Sequence, residues 1–326
     1  MAMVALVGPT GAGKTELGIA LAQQFDAEII NADSRQVYRR LDIGSAKPTP
    51  QQRAAVAHHV VDVVEPDEPF NCARFRQLAL SAINDIVRRG KRVLIVGGTG
   101  LYIKALLHGL FDGPSRDPAL RARLLREEEQ APGALHQRLR VVDPAAAARL
   151  HPHDRIRLVR ALEVHHLTGR PISAWQAEHR FGSRTLDARV LGLSLPRSEL
   201  YARINARCQS MVDAGLIDEV AHLYADGFAP DLPALRSPGY REIGDYVRGL
   251  CYLPTAMARM AQATRHLAKR QLTWFRADPD IVWCAAERAV LQQQTTDVWW
   301  TVEPGLRKPL QSCNSSPPAL PLRRRS

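Results

Sequence analysis

The sequence predicts an α/β fold, a parallel sheet covered by helices, with a small all-helical domain inserted into it. Three observations carry this prediction. Short apolar runs alternate with amphipathic stretches from Met3 to Leu107, the pattern of the strand–helix units that build parallel sheets. The first run, Met3-Val4-Ala5-Leu6-Val7, leads directly into Gly8-Pro9-Thr10-Gly11-Ala12-Gly13-Lys14-Thr15. This octet fits G-x-x-x-x-G-K-[ST] between a strand and a helix, so the sheet is expected to be P-loop NTPase-like. From Pro114 to about Gly182 the strand signal stops and nearly every stretch reads as helix. The expected organisation is an α/β core over 1–113 and 183–304, a helical insertion over 114–182, and a disordered Pro-, Ser- and Arg-rich tail over 305–326.

The octet is the first functional feature of the chain. Its glycines let successive backbone N–H groups turn inward around an anion, and the following helix N-terminus adds partial positive charge. Lys14 is expected to reach the outermost phosphate and the Thr15 hydroxyl to ligate Mg²⁺. The motif specifies a polyphosphate, with ATP the commonest occupant, but not the chemistry done with it.

A helix is expected from Thr15 to Phe25, with Leu17, Leu21 and Ala22 on one face. The strand Glu28-Ile29-Ile30 runs into Asn31-Ala32-Asp33-Ser34-Arg35-Gln36. Ligands of open α/β sheets gather beyond the carboxyl ends of the strands, so Asp33 and Ser34 fall on the rim of the phosphate loop. Asp and Ser also cap helices, and pattern alone does not choose between a site and a cap. Leu41 to Pro48 reads as a loop, and a short helix is expected near Thr49. His58 to Val64 reads as a third strand, and its paired histidines lack a nearby third ligand for a metal. Asn71 to Arg89 is a clear amphipathic helix, and Lys91 to Val96 a buried strand that ends in Gly97-Gly98-Thr99. Phosphate-loop nucleotidases usually place an Asp at the end of a buried strand to help hold Mg²⁺. That residue type is absent here, and so is an N-K-x-D guanine-reading motif.

After the helical insertion, Arg189 to Leu195 reads as a strand returning to the sheet, and Leu200 to Val212 as a helix. Arg203 and Arg207 lie four residues apart on that helix and share a face. Gly215 to Tyr224 reads as a helix, Leu235 to Glu242 as a basic turn with an aromatic, and Thr255 to Arg276 as a long helix. A last short strand is expected around Val282.

At 326 residues, with 45% hydrophobic and 24% charged residues, the composition is that of a soluble globular protein. No stretch approaches the roughly 20 apolar residues of a membrane span, and no leader pattern precedes the first strand. A cytoplasmic monomer is expected. The five cysteines form no C-x-x-C pair, which argues against a disulfide framework and a zinc site. The net charge of +11 suggests a polyanionic partner. It concentrates in two segments: Arg116 to Arg180 has twelve Arg against eight acids, and Arg236 to Arg276 has eight Lys/Arg against two. Such segments are also what solvated basic surfaces look like.

Several blocks together resemble the bacterial tRNA dimethylallyltransferases, also called tRNA isopentenyltransferases or the IPP transferase family. They are VGPTGAGKTELGIALA (7–22), NADSRQVYRRLDIGSAKP (31–48), HHVVDVVEPDE (58–68), VGGTGLYIKALLHGL (96–110), HPHDRIRLVRALEV (151–164), GYREI (239–243) and TRHLAKRQLTWFR (264–276). The resemblance implies transfer of a dimethylallyl group from dimethylallyl diphosphate to the exocyclic N6 amine of an adenosine in tRNA. That adenosine lies just 3′ of the anticodon, in tRNAs reading codons that begin with U, and the product is N6-isopentenyladenosine. The phosphate loop then holds a diphosphate leaving group on Gly8 to Thr15, with Mg²⁺ at Thr15, and performs no ATP chemistry.

By the same resemblance, Arg207 reaches the diphosphate, with Arg203 able to assist. Asp33 is the general base and Thr99 lines the shared channel. The tRNA anticodon stem-loop is contacted through Asp33, Ser34, Arg35, Gln36 (reading bases near the target) and Thr99. Further implied contacts are Arg121, Ile156, Arg157, Leu158, Val159 and Arg160 in the insertion, then Arg236, Gly239, Tyr240 and Arg241, and Arg265, Lys269 and Arg270 within Thr264 to Thr273. The chain departs from its relatives in Ser237-Pro238 and in Glu242, which is expected to bring a negative charge near RNA, and in Cys208, where a Phe is usual. An ATP-dependent small-molecule kinase, a prenyltransferase of free adenylate and a non-catalytic RNA-binding module are the alternatives.

Overall fold

A computed structural model describes residues 3–111, 113–179 and 184–285. The first half of the core alternates strand and helix: β1 (Met3–Val7), α1 (Lys14–Gln24), β2 (Ala27–Asn31), α2 (Pro50–Ala55), β3 (His58–His59), α3 (Cys72–Arg88), β4 (Arg92–Gly97) and α4 (Gly100–His108). Five helices follow without a strand: α5 (Pro118–Gln130), α6 (Ala134–Val142), α7 (Pro144–Ala147), α8 (Arg155–Thr168) and α9 (Ile172–His179). The chain then returns as β5 (Ala188–Ser194), α10 (Arg197–Asp213), α11 (Leu216–Ala225), α12 (Tyr240–Val247), α13 (Leu253–Arg276) and β6 (Ile281–Ala285).

The strands form one parallel sheet in the order β3-β2-β4-β1-β5-β6. Helices cover both faces, so the inner strands read as unbroken apolar runs. Alternation still decides which side chain goes where. Val4, Leu6, Leu94 and Val96 face α1, against Leu17, Leu21 and Ala22. Ala5, Val7, Val93 and Ile95 face the other way, toward Phe75, Ala79 and Ile83 of α3 and Leu106 of α4. Asn71 caps α3 by accepting hydrogen bonds from the Ala73 and Arg74 N–H groups at 2.9 and 3.0 Å, which fixes where that helix starts.

The inserted helices have a core of their own, built from Leu120, Leu124, Leu135, Leu139, Leu158, Val159, Leu162 and Ile172. Asp143 ties two of them together. One of its oxygens accepts from Ala146 N–H at 2.9 Å to cap α7, and the other accepts from Ser173 N–H at 2.9 Å at the start of α9.

Two expectations change. The strand expected over His58 to Val64 stops after two residues, because Val60 (φ 62°) and Asp62 (φ 55°) take left-handed backbone that no strand accommodates. Only an isolated bridge from Tyr38 to Val64 continues the pairing. The basic turn expected over Leu235 to Glu242 is cut short at Tyr240, where α12 begins. The tail expected to be disordered over 305–326 lies outside the described residues.

Candidate active site and nucleic-acid face

The carboxyl ends of β1, β2 and β4 meet on one rim. The phosphate loop leaves β1 with Gly8, Gly11 and Gly13 all at positive φ (146°, 84° and 84°), conformations that glycine adopts without steric cost. Gly13 occupies the cap position of α1 and offers no side chain to its first N–H groups. Those donors are left for an anion. Lys14 bends back over the loop and donates to the Pro9 carbonyl at 2.7 Å. Burial of the ammonium pulls its pKa down to about 8; Asp33 opposes that shift and Arg207 adds to it. Arg207, on α10, is also held below its ordinary value by burial, against the attraction of Glu16 and Asp33. Two desolvated cations and one carboxylate therefore converge at the mouth of the loop, the environment in which a polyanion gains most from fixed charge. Arg203, beside the loop, is paired with Glu199 at 2.6 Å.

The turn after β2 is stitched to the end of β4. Thr99 N–H donates to the Ala32 carbonyl at 3.2 Å, and Ser34 N–H donates to Thr99 Oγ1 at 3.0 Å. Gly97 permits this approach, since a Cβ there would sit 2.2 Å from the Ala32 oxygen. Asp33 caps no helix, since the next one begins at Pro50; it holds a local turn instead. Its Oδ1 accepts from Arg35 N–H at 2.7 Å and more loosely from Gln36 N–H at 3.4 Å. Oδ2 has no hydrogen-bond partner among the described residues. The carboxylate is thus held by one oxygen and presents the other to the rim.

The loop 41–48 below this turn is held from three sides. The Glu219 carboxylate of α11 accepts from three consecutive N–H groups, Asp42 at 3.1 Å, Ile43 at 2.7 Å and Gly44 at 3.2 Å. Buried Lys47 pairs with Asp42 and Asp62, each at 2.5 Å. Gln36 donates through Nε2 to the Ser45 and Ala46 carbonyls at 3.2 and 2.9 Å. Gln36 is buried, with its amide nitrogen committed to this loop, so it supports the rim from behind.

Several of the residues implied for RNA contact are used by the fold itself. Tyr240 is 1% exposed and its hydroxyl donates to Glu219 at 2.6 Å, so the ring has no face to offer a base. Gly239, at φ 96°, and buried Glu242 form the α12 cap, with the Glu242 carboxylate accepting from Gly239 N–H at 2.9 Å and pairing with Arg241. The charge of Glu242 is therefore turned inward, away from solvent. Leu158 and Val159 lie in the insertion core. Arg121 and Arg160 close on the fully buried Glu163: Arg121 donates through Nε at 2.7 Å and Nη2 at 2.8 Å, Arg160 through Nη1 at 2.6 Å. Burial pushes the Glu163 carboxyl up, but these arginines outweigh it and hold its pKa at about 2. Arg265 is engaged with Asn205 at 2.7 Å, and Arg35 with the Pro233 carbonyl at 2.7 Å.

What remains turned outward is a smaller basic face. Ile156 is 81% exposed, and Arg157, Arg236 and Arg241 also reach solvent. A cleft of about 980 Å³ runs between α4 and α13, with Arg157 of the insertion on its wall beside Lys269, Arg270 and Trp274. Lys269 and Arg270 are exposed, and their side chains make no hydrogen bond or ion pair with the described residues. A second cleft, of about 490 Å³, shares Arg270 and His266 with the first and adds Arg236, Arg241 and Arg259. Together they form a cationic track across α13, the electrostatic footprint of a nucleic-acid backbone.

One contact at the rim has no local sequence signature. Gln271 of α13 accepts from Thr10 N–H at 2.8 Å and donates to the Gly98 carbonyl at 3.0 Å, joining the phosphate loop to the end of β4. The two residues it joins to α13 lie far away in the chain, and no local pattern announces such a contact.

Known proteins resemble this chain over most of its length. A family model described as IPP transferase matches residues 36–278, and one described as isopentenyl transferase matches residues 1–63. A tRNA dimethylallyltransferase 2 of Geotalea uraniireducens is 52% identical over 86% of this chain and 91% of its own length. A tRNA dimethylallyltransferase of Geobacter sulfurreducens is 50% identical, with the same coverage of both chains. The crystal structure of a full-length tRNA isopentenylpyrophosphate transferase from Bacillus halodurans superposes with a TM-score of 0.68 at 37% identity, covering 91% of this chain and 96% of that one. A eukaryotic dimethylallyltransferase captured acting on tRNA gives a TM-score of 0.78 at 29% identity, covering 91% and 77%.

Proposed function

On the premise that the chain belongs to the IPP transferase family, we propose that it moves a dimethylallyl group from dimethylallyl diphosphate to the N6 amine of the adenosine just 3′ of a tRNA anticodon. The enzyme is a prenyltransferase that modifies tRNA. The observation that carries the donor and the roles below is the shared rim: a phosphate loop faced by Lys14 and Arg207, beside a carboxylate with one oxygen open.

The loop N–H groups, Lys14 and Arg207 hold the diphosphate. The bond from the allylic carbon to the diphosphate oxygen breaks and its electron pair stays on the diphosphate, where the fixed donors stabilise the growing charge. The adenine nitrogen forms the new bond to that carbon, and its proton passes to Asp33 Oδ2. The hydrogen bonds on Asp33 Oδ1, and the Ser34–Thr99 stitch, orient the carboxylate toward the amine. The base has to leave its stack to reach this rim, and the cationic track over α13 supports backbone contacts that hold the RNA while it does so.

Among the described residues no group of three or more His, Cys, Asp or Glu side chains is arranged to hold a metal. Mg²⁺ fits here as a companion of the diphosphate, with Thr15 as the protein ligand, because Mg²⁺ commonly binds through few protein groups plus substrate phosphates. When bound, it would add charge stabilisation to the leaving group. One chain supplies the loop, Asp33, Thr99, Arg207 and α13, which supports a monomer as the working unit. A tRNA acceptor supports a cytoplasmic location.

The test is nucleoside mass spectrometry after incubation with dimethylallyl diphosphate and an anticodon stem-loop, free AMP, or ATP with no prenyl donor. Prenylated adenosine from the stem-loop alone is expected. Saturating turnover on AMP, or transfer of the ATP γ-phosphate with the stem-loop left unmodified, would overturn the reading. Asp33→Ala is expected to bind the stem-loop normally and lower prenyl transfer about 100- to 10,000-fold. Unchanged transfer in that variant would remove Asp33 from the reaction.

A further inference from the structure

We propose that Gln271 is a positioning residue through which the RNA-facing helix sets the shape of the phosphate loop. Both ends of its amide are engaged. Oε1 accepts from Thr10 N–H at 2.8 Å and Nε2 donates to the Gly98 carbonyl at 3.0 Å, so the two bonds fix which end of the amide faces which partner. Thr10 lies within the loop whose N–H groups cradle the anion, and Gly98 immediately precedes the Thr99 that holds the Asp33 turn. One side chain therefore touches both halves of the reaction site without facing either substrate.

The same stretch of α13 faces the opposite way as well. Lys269 and Arg270 precede Gln271 in the chain and lie on the wall of the large cleft. Trp274, one turn on, seals the contact from the other side, since a Cβ on Gly100 would sit 2.1 Å from its indole ring. RNA bound on Lys269 and Arg270 holds this turn of helix in place, and Gln271 passes that restraint to the loop. The coupling is reciprocal: if RNA tightens the loop around a diphosphate, a diphosphate tightens the RNA by the same factor. This proposal rests on the tRNA reading for the identity of the polyanion on α13, but its effect on the loop does not require that any prenyl group be transferred.

Inorganic pyrophosphate is the probe for the loop and a tRNA anticodon stem-loop the probe for α13, both measured by calorimetry on the full chain. In the natural protein, pyrophosphate affinity is expected to rise about fivefold or more once the stem-loop is bound. Gln271→Ala is expected to weaken pyrophosphate about three- to tenfold in the absence of RNA. In that variant the stem-loop still binds within about twofold of normal, but it no longer tightens pyrophosphate. Gly98→Ala is expected to give the same pattern with the glutamine retained, because its Cβ would sit 2.5 Å from the Gln271 amide nitrogen and push that flexible end aside.

Full coupling in Gln271→Ala would overturn the proposal, as would loss of RNA and pyrophosphate binding together with a large fall in melting temperature. Prenyl transfer by the natural protein is scored separately. If transfer fails while the pyrophosphate effect of Gln271→Ala persists, the tRNA reading falls and the positioning role stands.

Discussion

The two basic segments look alike as charge runs, yet the fold uses them in opposite ways. In the insertion, Arg121 and Arg160 turn inward on Glu163, a carboxylate with 0% exposure. On α13, Lys269 and Arg270 turn outward along the wall of a cleft. A buried carboxylate needs partners, and its own helices supply them. The Lys269 and Arg270 side chains pair with no acid among the described residues and stay available to a ligand. Net charge alone therefore says little about binding; where the nearest buried acid lies says more. The phosphate loop extends the same contrast, because Lys14 and Arg207 are desolvated there without an ion pair that binds either of them tightly.

The contrast is broken most severely by Glu163→Ala. Two arginines would lose their shared buried partner, and a loss of about 3–5 kcal/mol of stability is expected by denaturant titration. The same pair gives an acid limb. The Glu163 carboxyl is held at about 2 in the fold against an ordinary value near 4.5, so its contribution is complete above the higher value and fades as pH falls toward the lower one. Lys14→Ala tests the opposite class of cation. It is expected to leave the fold as stable as before or more so, since a desolvated charge is removed, while lowering prenyl transfer about 100- to 1,000-fold in single-turnover assays.

Titration of Lys14 sharpens the comparison further. Burial brings its pKa to about 8 from an ordinary 10.5, and a diphosphate binds the charged form. Pyrophosphate affinity is expected to be level below about pH 8 and to fall above it, by at most about tenfold per pH unit. The stability of the ligand-free protein moves the other way between pH 8 and 10.5, because the unfolded chain binds the extra proton there. Lys14→Arg, whose guanidinium stays charged, is expected to flatten the affinity profile. The smallest effect is on the cleft. Arg270→Ala is expected to lower the salt slope of stem-loop binding by about one, with stability within about 0.5 kcal/mol of normal.

Much of the core is legible from residue type. The β1 and β4 runs are apolar on both faces because both faces are covered, and the glycines of the loop between β1 and α1 sit at positive φ. The Asn71 cap and the continuous apolar face of α3 are local features of the same kind. The failures are long-range or involve backbone that side-chain pattern does not encode. Val60 is a strand-forming residue held in left-handed backbone at the point where the His58 strand was expected to continue. Tyr240 reads as an aromatic beside arginines, suited to stacking on a base, until Glu219 of another helix claims its hydroxyl. Gln36 adjoins a reactive-looking carboxylate in the chain but faces the loop behind it. In the candidate site, Lys14 and Asp33 were visible as motif residues, whereas the contact of Gln271 spans most of the chain and has no local signature.

Glu219 gives the rim a property of its own. The three N–H groups of 42–44 that close on its carboxylate form a concavity of the kind that elsewhere captures phosphate. Here the occupant is tethered, so its local concentration far exceeds that of any dissolved anion. Phosphate buffers, rising salt or an RNA backbone can compete for the loop at 8–15 but not for the one at 42–44. The Asp33 turn thus rests on a resident counter-ion that the surrounding medium cannot exchange. Changes in ionic conditions are then felt at the phosphate loop while the footing of Asp33 stays constant.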